Sequence, residues 1–446
     1  MTPARLKLAV AAALAASLHA HAADLLDVFR QAQTADAVYA SARAQWAAAQ
    51  ERIPQGRAGL LPQASISANT LYNDRSVTFR VPGIPGSSTQ FNSNAITLTV
   101  TQPIFRRQNM IAYDQSRTQV DQAEAQFALA AQDLILRVAQ GYFDVLLAQD
   151  NVALSQAQKA AIGQQLEQAK RNFEVGTATI TDTHEAQARY DLTVSQEIAT
   201  QNDLELRRRS LEQIINQSAP PLAPLSTRLA LKAPEPATMD TWVDEARRTN
   251  LQVRAAEAGL RFASQNIERN RSGHYPTLDA IASYQDQAQG AGISGVQSPG
   301  FDARVRAIGL QVTIPLYQGG LVNSQVREAI ANEDRARQDL ENARRTAEFN
   351  VRQSYLGVTS GLAQVQALQA ALVSSESQLE STRLGQQVGV RTQVDVLNAQ
   401  QQLYTARRDL AQARYNYVMS LLRLKAAIGQ LTEDDLVDIN RWLGAS

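Results

Sequence analysis

The chain has 446 residues, 43 basic and 43 acidic side chains, and no cysteine. The missing cysteine excludes disulfides, thiolate metal sites and a lipidated N-terminal cysteine. The balanced charge argues against nucleic acid as a partner, which needs a basic footprint. Aromatic residues are only 6%, and Ala, Gln, Leu, Arg and Glu fill long stretches, a composition suited to long coiled helices more than to a thick globular core.

At the N-terminus Arg5 and Lys7 precede a short apolar run from Leu8 to Leu18, and Ala20-His21-Ala22 follows as a small-x-small site. This pattern predicts a secretory signal peptide over residues 1–22, cut after Ala22. Its removal leaves a slight acid excess and a chain released across the inner membrane. No later run of about 20 apolar residues is expected to form a membrane helix.

Prolines then divide the chain. Pro54, Pro62, Pro82, Pro85 and Pro103 cluster, as do Pro220 to Pro236, and Pro276, Pro299 and Pro315 follow. Because proline breaks helix interiors, residues 104–219 and 316–446 are free to be helical throughout. In the first stretch Phe127, Ala131, Leu134, Val138, Tyr142, Val145 and Val152 recur in steps of three, four or seven. That is the narrow apolar stripe of a helix, and its length favours coiled-coil packing over a single amphipathic surface helix.

The proline-rich windows alternate instead. Ile96, Leu98 and Val100 point one way and Thr97, Thr99 and Thr101 the other; Ile308, Leu310, Val312, Ile314 and Leu316 repeat the pattern. Strands are expected near 63–74 and 93–103, and near 276–286 and 305–316, with Gly-, Ser- and Pro-rich loops over 75–92 and 286–303. Alternating strands of about ten residues suit a membrane β-barrel, but four cannot close one, since the smallest need about eight. Either they form a soluble sheet or several chains pool them; the leader and the outward apolar row favour pooling.

The chain is also duplicated. Pro62 and Pro276, Pro103 and Pro315, and Val175-Gly176 and Val388-Gly389 all stand about 213 residues apart. Each half reads helix, strand, strand, long helix, helix, over residues 23–219 and 239–429. Both strand pairs are expected at one end of their helices and both Val-Gly turns at the other.

Val388-Gly-Val-Arg-Thr-Gln-Val-Asp-Val-Leu-Asn-Ala, Leu403-Tyr404, Ala413-Arg-Tyr-Asn-Tyr417 and Ala427-Ile-Gly429 closely resemble the C-terminal half of TolC-type outer-membrane efflux and type I secretion channels. Phe173-Glu-Val-Gly-Thr-Ala-Thr-Ile-Thr-Asp182 and Ala188-Arg-Tyr-Asp191 resemble the first-half counterpart, so the resemblance spans nearly the whole chain after the leader. It implies a mainly α fold with a membrane β-barrel portion: a homotrimer whose twelve pooled strands, set in outer-membrane lipid, continue into a periplasmic α-helical barrel. It further implies an equatorial region built from the linker 220–238 and the tail 430–446. It implies a periplasmic adaptor and an inner-membrane ABC, RND or MFS transporter as partners, and export of small molecules, proteins or both. The absent lipidation cysteine tilts toward the type I secretion and shared-efflux branch.

The hairpin tips are expected near 173–182 and 386–395. Gly176 and Gly389 supply the left-handed backbone such turns need, and Asp182 and Asp395 follow at the next helix start, where a carboxylate suits the positive end of the dipole. By resemblance Asp395 also lines the periplasmic entrance. There, one inward carboxylate per subunit becomes a cation-favouring ring. The second acidic position of the family is Asn398 here, which implies a weaker cation preference. Arg391 matches a residue that tethers the closed entrance, Thr181 and Asp182 match receiving positions, and Gln386 stands where a tyrosine is frequent. For Arg391 a solvated surface arginine remains the simpler alternative.

No enzyme is expected, and no metal or cofactor. His19 and His21 leave with the leader, His184 and His274 lie far apart in sequence, and the stretch from Gly290 to Gly300 lacks a phosphate-loop lysine. Two alternatives stay in view. A coiled-coil structural protein of the envelope would explain the helices but not the paired strands or the repeat. A periplasmic adaptor carries one hairpin where this chain has two matched halves.

Overall fold

The computed structural model describes residues 22–226, 231–290 and 300–444. The expected leader lies outside these residues except for Ala22, as does the middle of the expected loop 286–303. The elements run α1 (Leu25–Ala35), α2 (Ala37–Gln50), α3 (Arg52–Ala58), β1 (Gln63–Val77), β2 (Ser87–Phe105), α4 (Arg107–Glu174) and α5 (Ile180–Ile215) in the first half. The second half follows with α6 (Met239–Thr249), α7 (Leu251–Arg271), β3 (Thr277–Gln289), β4 (Phe301–Thr313), α8 (Leu321–Gln387), α9 (Gln393–Ala427) and α10 (Glu433–Asn440).

The chain divides into two compact units. One holds residues up to 44, 125–254 and 342 onward; the other holds 45–124 and 255–341. The long helices α4 and α8 contribute residues to both.

In the first unit the stripe read from sequence is the core. Leu134, Val138 and Tyr142 are fully buried, as are Leu25 and Val28 of α1, Val351 and Val358 of α8, and Leu422 of α9. Burying each such aliphatic side chain contributes about 1.5–3 kcal/mol. The Tyr142 hydroxyl donates to the carbonyls of Ala223 (2.8 Å) and Ala23 (3.2 Å). The segment after α5 is strapped to this core. Leu222 bridges Ala23 and Leu225 bridges Leu443, and the Tyr417 hydroxyl donates to the Lys232 carbonyl at 2.6 Å. Asp36, between α1 and α2, is 4% exposed. Its carboxylate accepts both terminal nitrogens of Arg137 at 2.8 and 3.0 Å and the Tyr39 N–H at 2.7 Å. The Arg137 guanidinium holds this carboxyl below the usual carboxylate range.

Against the expectation of no later apolar span, α8 carries an 18-residue window of mean hydropathy 1.2, of which only 11% is buried. The window sits inside one 67-residue helix whose other stretches are rich in charge, so length and composition alone pass the test for a span.

In the second unit the four strands form one antiparallel sheet in the order β1-β2-β3-β4. The strands run further than sequence alternation suggests. Val77 pairs with Ser87, so the first hairpin loop is only 78–86, because a backbone ladder continues through polar Asn, Ser and Gln residues that carry no hydrophobic signal. Pro103 lies within β2, at an irregularity beside Phe105, where an edge or bulge tolerates a missing N–H. Arg106 closes the strand–helix junction with a bidentate pair to the buried Asp279, at 2.7 and 2.6 Å.

Candidate functional site

Two regions bear on function, one in each unit. The first is the sheet. Cross-strand partners share a face, so Ile66, Leu98, Tyr284 and Arg306 form one row and Ala64, Val100, Ala282 and Ile308 the next. One face therefore carries Ile66, Ile96, Leu98, Ile308, Leu310 and Val312, all exposed. The other is mainly polar, with Ser65, Ser67, Thr97, Thr99, Thr101 and Gln285 outnumbering the exposed Leu71 and Val305. Exposed aliphatic rows on one face and hydroxyls on the other invert the pattern of a soluble sheet and fit lipid outside, water inside.

The apolar band also crosses the register obliquely. Its centre lies near Ala68 on β1, Leu98 on β2, Ala282 on β3 and Leu310 on β4. Leu98 pairs with Ile66 and Tyr284, and Ala282 pairs with Ile308, so the centre slips by about two residues per strand. A band level with a membrane has this slant only when the strands tilt, as membrane barrel strands do by roughly 35–45°. The outer edges of β1 and β4 have no strand partner among the described residues.

The second region is the pair of hairpin turns in the other unit. Gly176 and Gly389 take φ of 77° and 79°, the left-handed region where a side chain is strained. In both turns the next helix opens with a reciprocal cap. The Thr179 N–H and hydroxyl donate to Asp182 Oδ2 at 2.9 and 2.8 Å, and the Asp182 N–H donates back to Thr179 Oγ1 at 3.2 Å. Thr392 and Asp395 repeat this at 2.9, 3.0 and 3.2 Å. The Thr392 N–H first, and then its hydroxyl, holds the Asp395 carboxyl below its usual range against slight burial, with Arg391 adding charge attraction. One oxygen of each aspartate is thus committed to its cap, and the capping and entrance readings are compatible.

Arg391 and Thr181 are exposed, and no hydrogen bond or ion pair ties either side chain within the described residues. Gln386 lies at the end of α8. Its amide donates to Gln393 Oε1, and the Gln393 amide donates to Gln165 Oε1 at 2.5 Å, so the second hairpin is lashed to α4 of the first. Asn398 accepts from Arg189 of α5 at 2.8 Å. Beneath these links Leu397 packs with Ile162, Leu166, Ala169 and Ala186, while Val396, Ala399 and Leu403 pack on Leu379 of α8. Gln165, Gln393 and Arg189 were not singled out from sequence. They are long polar residues on polar helices, and only the packing of two hairpins distant in sequence pairs them.

The chain is similar to known proteins along nearly its whole length. The model of the family described as "Outer membrane efflux protein" matches residues 28–217 and again 242–430, one match per half. The chain is 34% identical to the outer membrane protein TolC of Vibrio cholerae, over 95% of this chain and 94% of that protein. It is 31% identical to the proteases secretion protein PrtF of Dickeya chrysanthemi, over 95% and 92%. Its fold matches the crystal structure of the outer membrane protein VceC from Vibrio cholerae with a TM-score of 0.76, covering 91% of this chain and 96% of that one at 19% identity. With an inside-out slanted sheet, two matched helical hairpins and a family match repeated in each half, the chain belongs to the outer membrane efflux protein family and is a subunit of an outer-membrane efflux and secretion channel.

Proposed function

We propose that three copies pool their strands into a twelve-stranded barrel, and that the helical hairpins of the same copies line the passage leading to it. The observation that carries this reading is the four-stranded sheet itself: an apolar face, a mainly polar face and two long edges with no strand partner among the described residues. Such edges are a liability unless another strand covers them, and four strands close a barrel only when shared. The unengaged Arg391 and Thr181 support a tip whose remaining partners come from a neighbouring copy. In this assembly Asp395 forms a ring of three carboxylates at the periplasmic entrance, and Arg391 tethers the entrance shut. Asn398, neutral and held by Arg189, adds no second ring.

The export role carries partners with it: a periplasmic adaptor docked on the hairpins and an inner-membrane transporter of the ABC, RND or MFS type. The likeness to a protein named for protease secretion supports proteins among the cargo, beside small molecules. The test is single-channel recording of the purified protein in a planar bilayer, alone and as Arg391→Ala and Asp395→Ala. Small cation-preferring steps are expected, with more current in the first variant and less preference in the second. A well-folded protein that gives no steps even as Arg391→Ala would overturn the pore.

A further inference from the structure

The lipid-side face of the sheet is interrupted by charge at one level. On β4 the apolar side chains of this face are Ile308, Leu310 and Val312, all exposed. From the band centre at Leu310, Arg306 and Arg304 lie four and six residues toward the hairpin loop, roughly 10 and 15 Å of height on a tilted strand, either side of the half-height of an apolar band about 25 Å tall. Arg306 and Arg304 are the next two side chains on the same face, toward the hairpin loop. Both are exposed, and both are held in place by β3. The Arg306 guanidinium lies over the Tyr284 ring, 5.7 Å from its centre, and Arg304 Nε donates to Asp286 Oδ2 at 3.2 Å. In register Arg306 faces Tyr284 and Leu98, and Arg304 faces Asp286 and Ile96; following the slant of the band, Asn94 and Asn92 of β2 stand at the same distance from its centre at Leu98. Asp302, also exposed, follows Arg304 one step nearer the loop.

A cation on the lipid side costs heavily at the middle of a bilayer and little at its surface. These two sit where the apolar band ends, which is headgroup depth. They lie at the hairpin-loop end of the strands; the helices join at the other end, at Phe105, Thr277 and Thr313. A guanidinium has five donors in a rigid fork. Arg304 uses its Nε toward Asp286 and keeps its terminal nitrogens, and Arg306 stacks through its face and keeps all of its donors. Two such forks, two residues apart on a strand, match the oxygens of a phosphate.

We propose that Arg304 and Arg306, braced by Asp286 and Tyr284, form a binding site for the phosphate of a phosphorylated lipid in the leaflet at the hairpin-loop end. The site holds the barrel at a fixed depth. It rests on the barrel reading of the sheet but not on gating or cargo.

The test uses the full protein in three kinds of vesicle: phosphatidylcholine alone, phosphatidylcholine with bis-phosphorylated lipid A, and phosphatidylcholine with dephosphorylated lipid A. Thermal melting and co-purified lipid are measured in each. A lipid bound only by the folded state raises Tm by mass action. The parent is expected to melt about 3 °C or more higher with the phosphorylated lipid only. The double variant Arg304→Gln/Arg306→Gln is expected to keep its melting point in phosphatidylcholine and lose the shift and the bound lipid, while Arg304→Lys/Arg306→Lys keeps part of both. An equal shift with the dephosphorylated lipid, or a shift that survives in the glutamine variant, overturns the proposal. So does a glutamine variant whose melting point in phosphatidylcholine falls as far as the lipid raises that of the parent, since exposed contacts to Asp286 and Tyr284 are too weak to account for it and the arginines would then be holding a neighbouring chain. Failure of the barrel reading is separate, because that protein would insert into none of the vesicles.

Discussion

Gln393→Ala removes the middle of the Gln386–Gln393–Gln165 chain and with it two hydrogen bonds, one within the second hairpin and one from it to the first. All three side chains are half-buried, so water replaces part of what is lost. A net loss of about 1 kcal/mol per subunit is the fair figure, at the middle of the usual range for a side-chain hydrogen bond. Leu397 and Val396 remain packed, so the fold should persist. In the proposed trimer three tips open together, and the closed state loses about 3 kcal/mol relative to the open one. That is roughly a hundredfold in the ratio of open to closed. Single-channel recording reads this directly as open fraction, with Gln187→Ala as a control that breaks only an exposed contact to Asp191 on the same helix. An open fraction for Gln393→Ala within about twofold of the parent would refute the idea that this amide chain holds the tip.

Asp182→Ala and Asp395→Ala each lose a cap and about 1 kcal/mol of local stability, but only the second should lower cation preference in reversal-potential measurements. Because the Asp395 carboxyl lies below its usual range, cation preference is expected to be flat above the ordinary carboxylate pKa and to fall only as pH drops through the depressed value. Asn398→Asp should raise that preference, and an unchanged reversal potential would remove Asn398 from the lumen. Asp36→Ala leaves Arg137 without its main partner and is expected to cost about 3 kcal/mol, read as a fall in Tm with unchanged conductance. The folded carboxyl of Asp36 is depressed, so its contribution is present above the unfolded pKa and is lost as pH falls through the folded one. The Tm gap between parent and variant should therefore close in acid. Gly389→Ala forces a side chain into the left-handed region and should cost about 1 kcal/mol at the turn, visible as faster hydrogen exchange at 386–393 alone.

Much of this protein was legible along the chain because its physics is periodic. Proline-free stretches marked α4 and α8, the first also by its helical stripe, and alternating Ile, Leu, Val against Thr marked the sheet and its two faces. The spacing of Val175-Gly176 and Val388-Gly389 marked the duplication and the turns. Reciprocal caps such as Thr392 with Asp395 are local, three residues apart, and need no fold to be anticipated.

What the chain alone left undecided is whatever depends on residues far apart in sequence. The reach of β1 and β2 through Ser87 to Asn92 comes from backbone pairing, which polar side chains do not announce. The slant of the apolar band is visible only once Leu98 is set beside both Ile66 and Tyr284. Gln386 read as a departure that weakens the closed tip, yet its amide turns to Gln393, which in turn holds Gln165, and Asn398 turns to Arg189. Amides and guanidinium groups have several possible partners within reach on a polar helix, so their choice follows from which helices pack together, and that is set by Leu397 and its apolar neighbours in the tertiary structure.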